Sequence, residues 1–191
     1  MTSSSPCVLV VEDETELAEL FAEWLSGEYD VRVATTGEEA LDKIDDSVDV
    51  VLLDRLMPGI SGDEVLETIR DEGYDCRVAM VTAVEPDFDV LEMGFDDYVV
   101  KPLFREDIHQ LVRGLVERNA YDKRLSELFA SASKLAALES HKQPQELEGS
   151  EEYQRARASF ERASERIEEL EDEMSEEDFE AVFYDFDRID L

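Results

Sequence analysis

Four short apolar runs in this chain each stop at residues able to do chemistry. CVLVV (7–11) leads to Glu12-Asp13, VVLL (50–53) to Asp54, RVAMVTA (77–83) ends on Thr82-Ala83, and YVV (98–100) leads to Lys101-Pro102. Three carboxylates, a hydroxyl and an ammonium are thus offered from the ends of strand-like segments. Gathered in one pocket, the acids repel: at an effective dielectric near 20 and ~5 Å separation, each pair costs about 3 kcal/mol. Protonation of one acid relieves this, and so does a bound hard cation. Mg²⁺ suits an oxygen-only site with one or two carboxylates and several waters. A lysine beside such a site adds the capacity to hold an anion. Together these groups match the needs of phosphoryl transfer, in which cations neutralise equatorial oxygens while an in-line carboxylate attacks.

An alternation of strands and helices through residue 118 must position them. CVLVV is followed by Thr15 to Ser26, where Leu17, Leu20, Phe21, Trp24 and Leu25 recur at helical spacing. VRVAT (31–35) leads to a helix over Gly37–Ile44, and VVLL to one from about Ser61 to Asp71 showing Val65, Leu66 and Ile69. RVAMVTA precedes a shorter helical piece near Val90–Met93, and YVV precedes a helix holding Ile108, Leu111, Val112 and Leu115. Five strands, each followed by a helix, predict an α/β fold: a flavodoxin-like, doubly wound (βα)5 parallel sheet of strand order 2-1-3-4-5. Near-continuous Val/Leu strands fit a parallel sheet covered on both faces. Such sheets bind ligands at the carboxyl ends of their strands. In this order the ends of strands one, three, four and five lie together.

The tail reads differently. Tyr121 to Ser140 is helical, with Leu125, Leu128, Phe129, Leu135 and Leu138, and can continue the preceding helix. HKQPQELEGS (141–150) reads as a connection. Tyr153, Ala156, Phe160, Ala163, Ile167, Leu170 and Met174 then form a heptad seam. Ser175 and Asp178 resemble a capping box opening a last short helix with Phe179, Val182, Phe183 and Phe186. The division expected is 6–120 for the sheet domain and 121–191 for a C-terminal helical hairpin or coiled-coil module.

Composition excludes several classes. Cys7 and Cys76 are the only cysteines and sit in or beside apolar runs, while His109 and His141 stand alone, so zinc and thiol chemistry are out. No apolar run approaches the roughly 18–20 residues of a membrane span, and MTSSSPCVLVVEDE lacks signal-peptide features, so a cytoplasmic protein is expected. The net charge is −33. A chain this acidic repels itself in dilute buffer, and the repulsion fades at molar salt, where the Debye length is about 3 Å. A salty cytoplasm, that of a halophilic archaeon, is therefore expected.

The ordered set Glu12-Asp13, "LLDRLMPGISG" with Asp54, Thr82-Ala83, Tyr98 and Lys101-Pro102 resembles the receiver domain of two-component response regulators over about residues 6–120. The resemblance implies that Asp54 accepts a phosphoryl group from the phosphohistidine of a sensor histidine kinase. It implies that Asp13, Asp54 and the Leu56 carbonyl ligate Mg²⁺, with Glu12 acting mainly through water. Thr82, Ala83 and Lys101 would hold the phosphoryl oxygens, Pro102 would follow a cis peptide bond, and Tyr98 would swing inward as Thr82 moves. "YDKRLSELFASASKLAALE" and "EEYQRA" resemble the HalX domain that follows receivers in haloarchaeal regulators.

Blander readings stand beside these. Tyr98 at a strand edge can be packing alone, and Arg55 reads as a solvated neighbour of acids rather than a catalytic group. His109 has no context for a phosphodonor role. The heptad seam reads as an intramolecular hairpin contact, with a homodimer through the tail, or through the face of the fourth and fifth strands, as the alternative. A DNA-binding output is the second functional reading; a tail with 21 acids against 9 bases and no basic cluster argues against it. An aspartyl-phosphate phosphatase is disfavoured because Leu56 stands where its second aspartate would be. The chain is therefore expected to be a phosphoacceptor switch and not an enzyme beyond its own phosphorylation and dephosphorylation.

Overall fold

The computed structural model describes residues 5–86, 88, 90 and 93–173, with side chains described through 164. Two compact units divide between Val116 and Glu117. The first holds five strands, β1 (Cys7–Val11), β2 (Asp30–Ala34), β3 (Val50–Leu53), β4 (Arg77–Thr82) and β5 (Asp97–Val100). Between them run α1 (Thr15–Leu25), α2 (Gly37–Lys43) and α3 (Gly62–Asp71), and α4 (Arg105–His141) follows β5. The strands form one parallel sheet in the order β2-β1-β3-β4-β5. Of the expected helical piece near Val90–Met93, Leu91 and Glu92 lie outside the described residues.

Strand alternation explains why β1 and β3 read as unbroken apolar runs. Leu9, Val11, Val51, Leu53, Val78 and Met80 point to one face, where they meet Ala40 of α2 and Val65, Leu66 and Ile69 of α3. Val8, Val10, Val50, Leu52, Ala79 and Val81 point to the other, against Phe21 and Leu25 of α1 and Ile108, Val112 and Leu115 of α4. Every β1 and β3 residue is buried. Each large side chain removed from water in this way contributes about 1.5–3 kcal/mol. β2 lies at the sheet edge and is correspondingly less covered.

Local signals set the helix starts. The Thr36 hydroxyl accepts the Glu39 N–H at 3.1 Å and caps α2. Ser61 and Glu64 form a reciprocal capping box at α3. Nothing in the sequence stops the helix after Val116, and α4 runs unbroken through 37 residues to His141. The 141–150 connection contains a short helix, α5 (Pro144–Glu148), because Pro144 occupies its first turn and Gln143 and Glu146 form another capping box. It leads to α6 (Glu151–Glu173). Of the heptad positions, Tyr153 is buried, Phe160 and Ala163 are half-buried and Ala156 is exposed. The side chains of Ile167, Leu170 and Met174 and the expected final helix lie outside the described residues.

Candidate functional site

Sheet register brings the site together. Val11 pairs with Leu53 at the ends of β1 and β3, so the residues that follow, Glu12 and Asp54, emerge side by side. Thr82 pairs with Val100 at the ends of β4 and β5, which sets Lys101 next to Thr82. Backbone bonds extend this alignment past the strands: Asp54 N–H donates to Val11 at 2.9 Å and Lys101 N–H to Thr82 at 2.8 Å.

Carboxylate oxygens of Glu12, Asp13 and Asp54 all lie within 4.8 Å of one another. Oxygens around an octahedral Mg²⁺ at 2.0–2.1 Å stand about 3 Å apart in cis and about 4 Å apart in trans. That spacing suits such an ion held by some of these acids directly and by the others through its waters. Glu12 is 2% and Asp54 7% exposed, and Asp13 is half-buried. The Lys101 ammonium donates to Asp54 Oδ2 at 2.9 Å and to Glu12 Oε2. Burial pushes the Glu12 carboxyl above the usual carboxylate range, with the Asp54 charge adding to it and Lys101 offsetting part. Burial also works against the charged form of Lys101, but its hydrogen bonds to Glu12 and Asp54 outweigh that and hold it above the ordinary lysine range. Glu12 thus gains from any further cation placed beside it.

Thr82 is fully buried, its hydroxyl accepting the Val84 N–H at 3.4 Å, and Ala83 beside it is exposed. The Lys101–Pro102 peptide bond is cis. Tyr98 packs against the core with its ring 5.4 Å from that of Phe95, and its hydroxyl donates to the Val84 carbonyl at 2.9 Å. Val84 therefore links the loop after Thr82 to Tyr98. Leu56 is 65% exposed; its N–H donates to Asp54 Oδ1 at 3.4 Å.

Other residues support the site without a plain signal in the sequence. A Cβ on Gly62 would stand 2.1 Å from the Asp54 carbonyl oxygen, and its N–H donates to Arg55 at 2.9 Å. Gly62 thus lets α3 begin directly against the residue that carries the carboxylate. Gly59, at φ +81°, takes the left-handed turn that Pro58-Gly59 suggested. Arg55 is a half-buried partner of Asp63, with Nε 3.1 Å from its Oδ1, rather than simply a solvated neighbour of acids. His109 is half-buried with Nδ1 3.6 Å from Glu28. Cys7 and Cys76 are free and buried, and burial raises both thiols above their usual range.

A parallel sheet that gathers three acids, a threonine and a lysine at its carboxyl edge defines an aspartate-centred receiver. The family described as "Response regulator receiver domain" matches residues 8–113, more than half of the chain, and the chain belongs to it. The family described as "HalX domain" matches residues 117–183. A Haloferax volcanii protein, provisionally named as a transcriptional regulator, is 52% identical over 134 residues, covering 70% of this chain and 23% of that protein. Transcriptional regulatory protein CpxR of Escherichia coli K12 is 36% identical over 121 residues, covering 61% of this chain and 52% of CpxR. The chain therefore spans about a quarter of the length of the first of these relatives and about half of the second. The response regulator TrrA of Thermotoga maritima, solved with Mg²⁺ and a beryllium fluoride, is 37% identical with a TM-score of 0.51, covering 58% of this chain and 98% of that one. Receiver relatives of this kind are regulators of two-component systems rather than conventional enzymes. Among the described residues, no helix is long and apolar enough to cross a membrane.

Proposed function

We propose that this chain is a Mg²⁺-dependent phosphoacceptor switch in which Asp54 takes a phosphoryl group from the phosphohistidine of a sensor histidine kinase. The observation that carries this reading is the convergence of Glu12, Asp13 and Asp54 within 4.8 Å, with Lys101 bonded to two of them. A carboxylate oxygen of Asp54 attacks phosphorus, an O–P bond forms, and the P–N bond breaks with its electron pair returning to the donor imidazole. Mg²⁺, when bound, neutralises phosphoryl oxygens and orients them for in-line attack. Asp13, Asp54 and the Leu56 carbonyl would hold it, with Glu12 acting mainly through water. Lys101 exchanges part of its interaction with Asp54 for a phosphoryl oxygen, and Thr82 and the Ala83 backbone bind the others. Movement of Thr82 shifts Val84, and with it the Tyr98 hydroxyl, altering the face built by β4 and β5.

The receiver (6–120) acts on a helical output module (121–191) whose target is a protein partner or a second copy. A cytoplasmic, haloarchaeal setting is supported by the −33 charge and the Haloferax relative. The second reading, output through DNA, is favoured by the names of the relatives and opposed by the acidic tail. A gel shift at molar KCl separates the two, since a shifted duplex would move the output to DNA. For the central reaction, incubation with acetyl phosphate and Mg²⁺ adds one phosphoryl mass that Asp54→Ala abolishes. Labelling at full extent in that variant would move the acceptor elsewhere.

A further inference from the structure

Within the helical unit, the end of α4 and the start of α6 enclose a groove of about 570 Å³ that the phosphoacceptor site does not explain. Leu138, Leu147, Tyr153 and Ala156 supply its apolar wall, and Lys134 and Lys142 flank it. Leu138 is 42% exposed despite its size. The chain contains five lysines in total, so two at one groove is a concentration. Glu146 and Glu152 also line the groove, but both are engaged locally. Glu146 closes the α5 capping box and lies 3.8 Å from Lys142; Glu152 accepts from Ser150 at 3.1 Å and lies 3.8 Å from Arg155. Lys134 has no hydrogen-bond or ion-pair partner among the described residues.

We propose that the groove is the docking site of this chain's own C-terminal segment, Glu176–Leu191. That sequence complements it twice. Phe179, Val182, Phe183 and Phe186 recur at helical spacing, with Phe183 and Phe186 the pair that matches the apolar wall, and seven acids against the single Arg188 match Lys134. The span fits as well. From Ala156 to the end of α6 is about 26 Å of helix. A link over 174–178 covers about 17 Å when extended, which leaves Phe179 about 9 Å short of Ala156; Phe183 and Phe186, about 6 and 10 Å further along a helix, are the residues that arrive at the groove. The HalX match runs to residue 183, ten beyond the end of α6, and so includes the first aromatic positions of the segment. Docking covers Leu138 and gives Lys134 an acidic partner. Docking there goes beyond the phosphoacceptor reading and does not depend on it.

Zero-length carbodiimide cross-linking of the full chain, with mass-spectrometric mapping, tests this. Cross-links from Lys134 or Lys142 to acids within 176–190 are expected, with the Lys43–Glu39 pair, 3.2 Å apart, as the internal control. In an equal mixture of ¹⁴N and ¹⁵N chains, they should join residues of one isotope. Phe183→Asp/Phe186→Asp should reduce them at least tenfold while the control persists. Three results would each overturn the proposal: control cross-links alone, cross-links predominantly between isotopes, or cross-links undiminished in the double variant.

Discussion

Residues 1–120 carry 30 acids against 9 bases around a sheet buried on both faces, whereas residues 121–191 carry 21 against 9 and bury few of their described side chains. In the helical unit, the buried apolar side chains among the described residues are Tyr121, Leu135 and Tyr153. The receiver also assigns its cations to particular acids: Arg32 to Asp45, Arg55 to Asp63, Arg70 and Arg77 to Asp96, and Lys101 to Glu12 and Asp54. Among the described residues of α6, the ion pairs are exposed neighbours one turn apart, such as Arg157 and Glu161, and solvent and salt screen them heavily. Burying Glu12 and Asp54 beside each other requires surroundings that do not yield, and the two-faced core supplies them. Among the described residues of the tail no such pair of acids is buried, and its helices bury few apolar side chains.

The strongest way to break this contrast is to cut into each unit. Phe21→Ala, in the core under α1, should lower stability by about 3–5 kcal/mol, and Leu135→Ala in the tail by about 2 kcal/mol or less. Urea titrations followed through Trp24, whose ring stands 5.7 Å from that of Phe21, read the receiver, while ellipticity at 222 nm reads all helices. Equal losses would mean that the tail has a core of its own.

Salt sharpens the comparison next. Moving from ~0.1 M to molar KCl should raise the Trp24-detected melting midpoint by on the order of 10 °C, because screening removes the repulsion of a domain this acidic. A midpoint indifferent to salt would contradict the reading of the charge.

Gly62→Ala comes third. Its Cβ has no room against Asp54, so the loop must move, costing about 1–3 kcal/mol. The rate of phosphorylation by acetyl phosphate should fall with it, and an unchanged rate would show that the loop yields without disturbing Asp54. This residue also marks the limit of sequence reading. The strands, their order and the acids at their ends were legible because apolar runs and strand-end polar residues are local patterns. The contact between Gly62 and Asp54 joins segments eight residues apart through a turn, and the Tyr98–Val84 bond joins a loop to a strand. Such pairings depend on tertiary placement, which spacing does not encode. The α5 turn was legible in principle, since Pro144 and the Gln143/Glu146 box are helix-start signals, but Pro and Gly at either end of that stretch suggested a plain connection.

The smallest effect concerns lifetime. Leu56 is exposed two residues after Asp54, and an apolar side chain there hinders water approaching the acyl phosphate. Leu56→Asn should shorten the phosphoryl half-life several-fold, equivalent to about 1 kcal/mol of barrier. An unchanged half-life would show that the side chain does not shield the site.

The central claim is that the acceptor is one particular carboxylate among three. Borohydride reduction of the acyl phosphate, followed by peptide mass mapping, reads this directly because a phosphorylated aspartate is converted to homoserine. Homoserine is expected at position 54, formed only when Mg²⁺ and a phosphodonor are both present. Homoserine at position 13, a reduced side chain at Glu12, or modification independent of Mg²⁺ would contradict it.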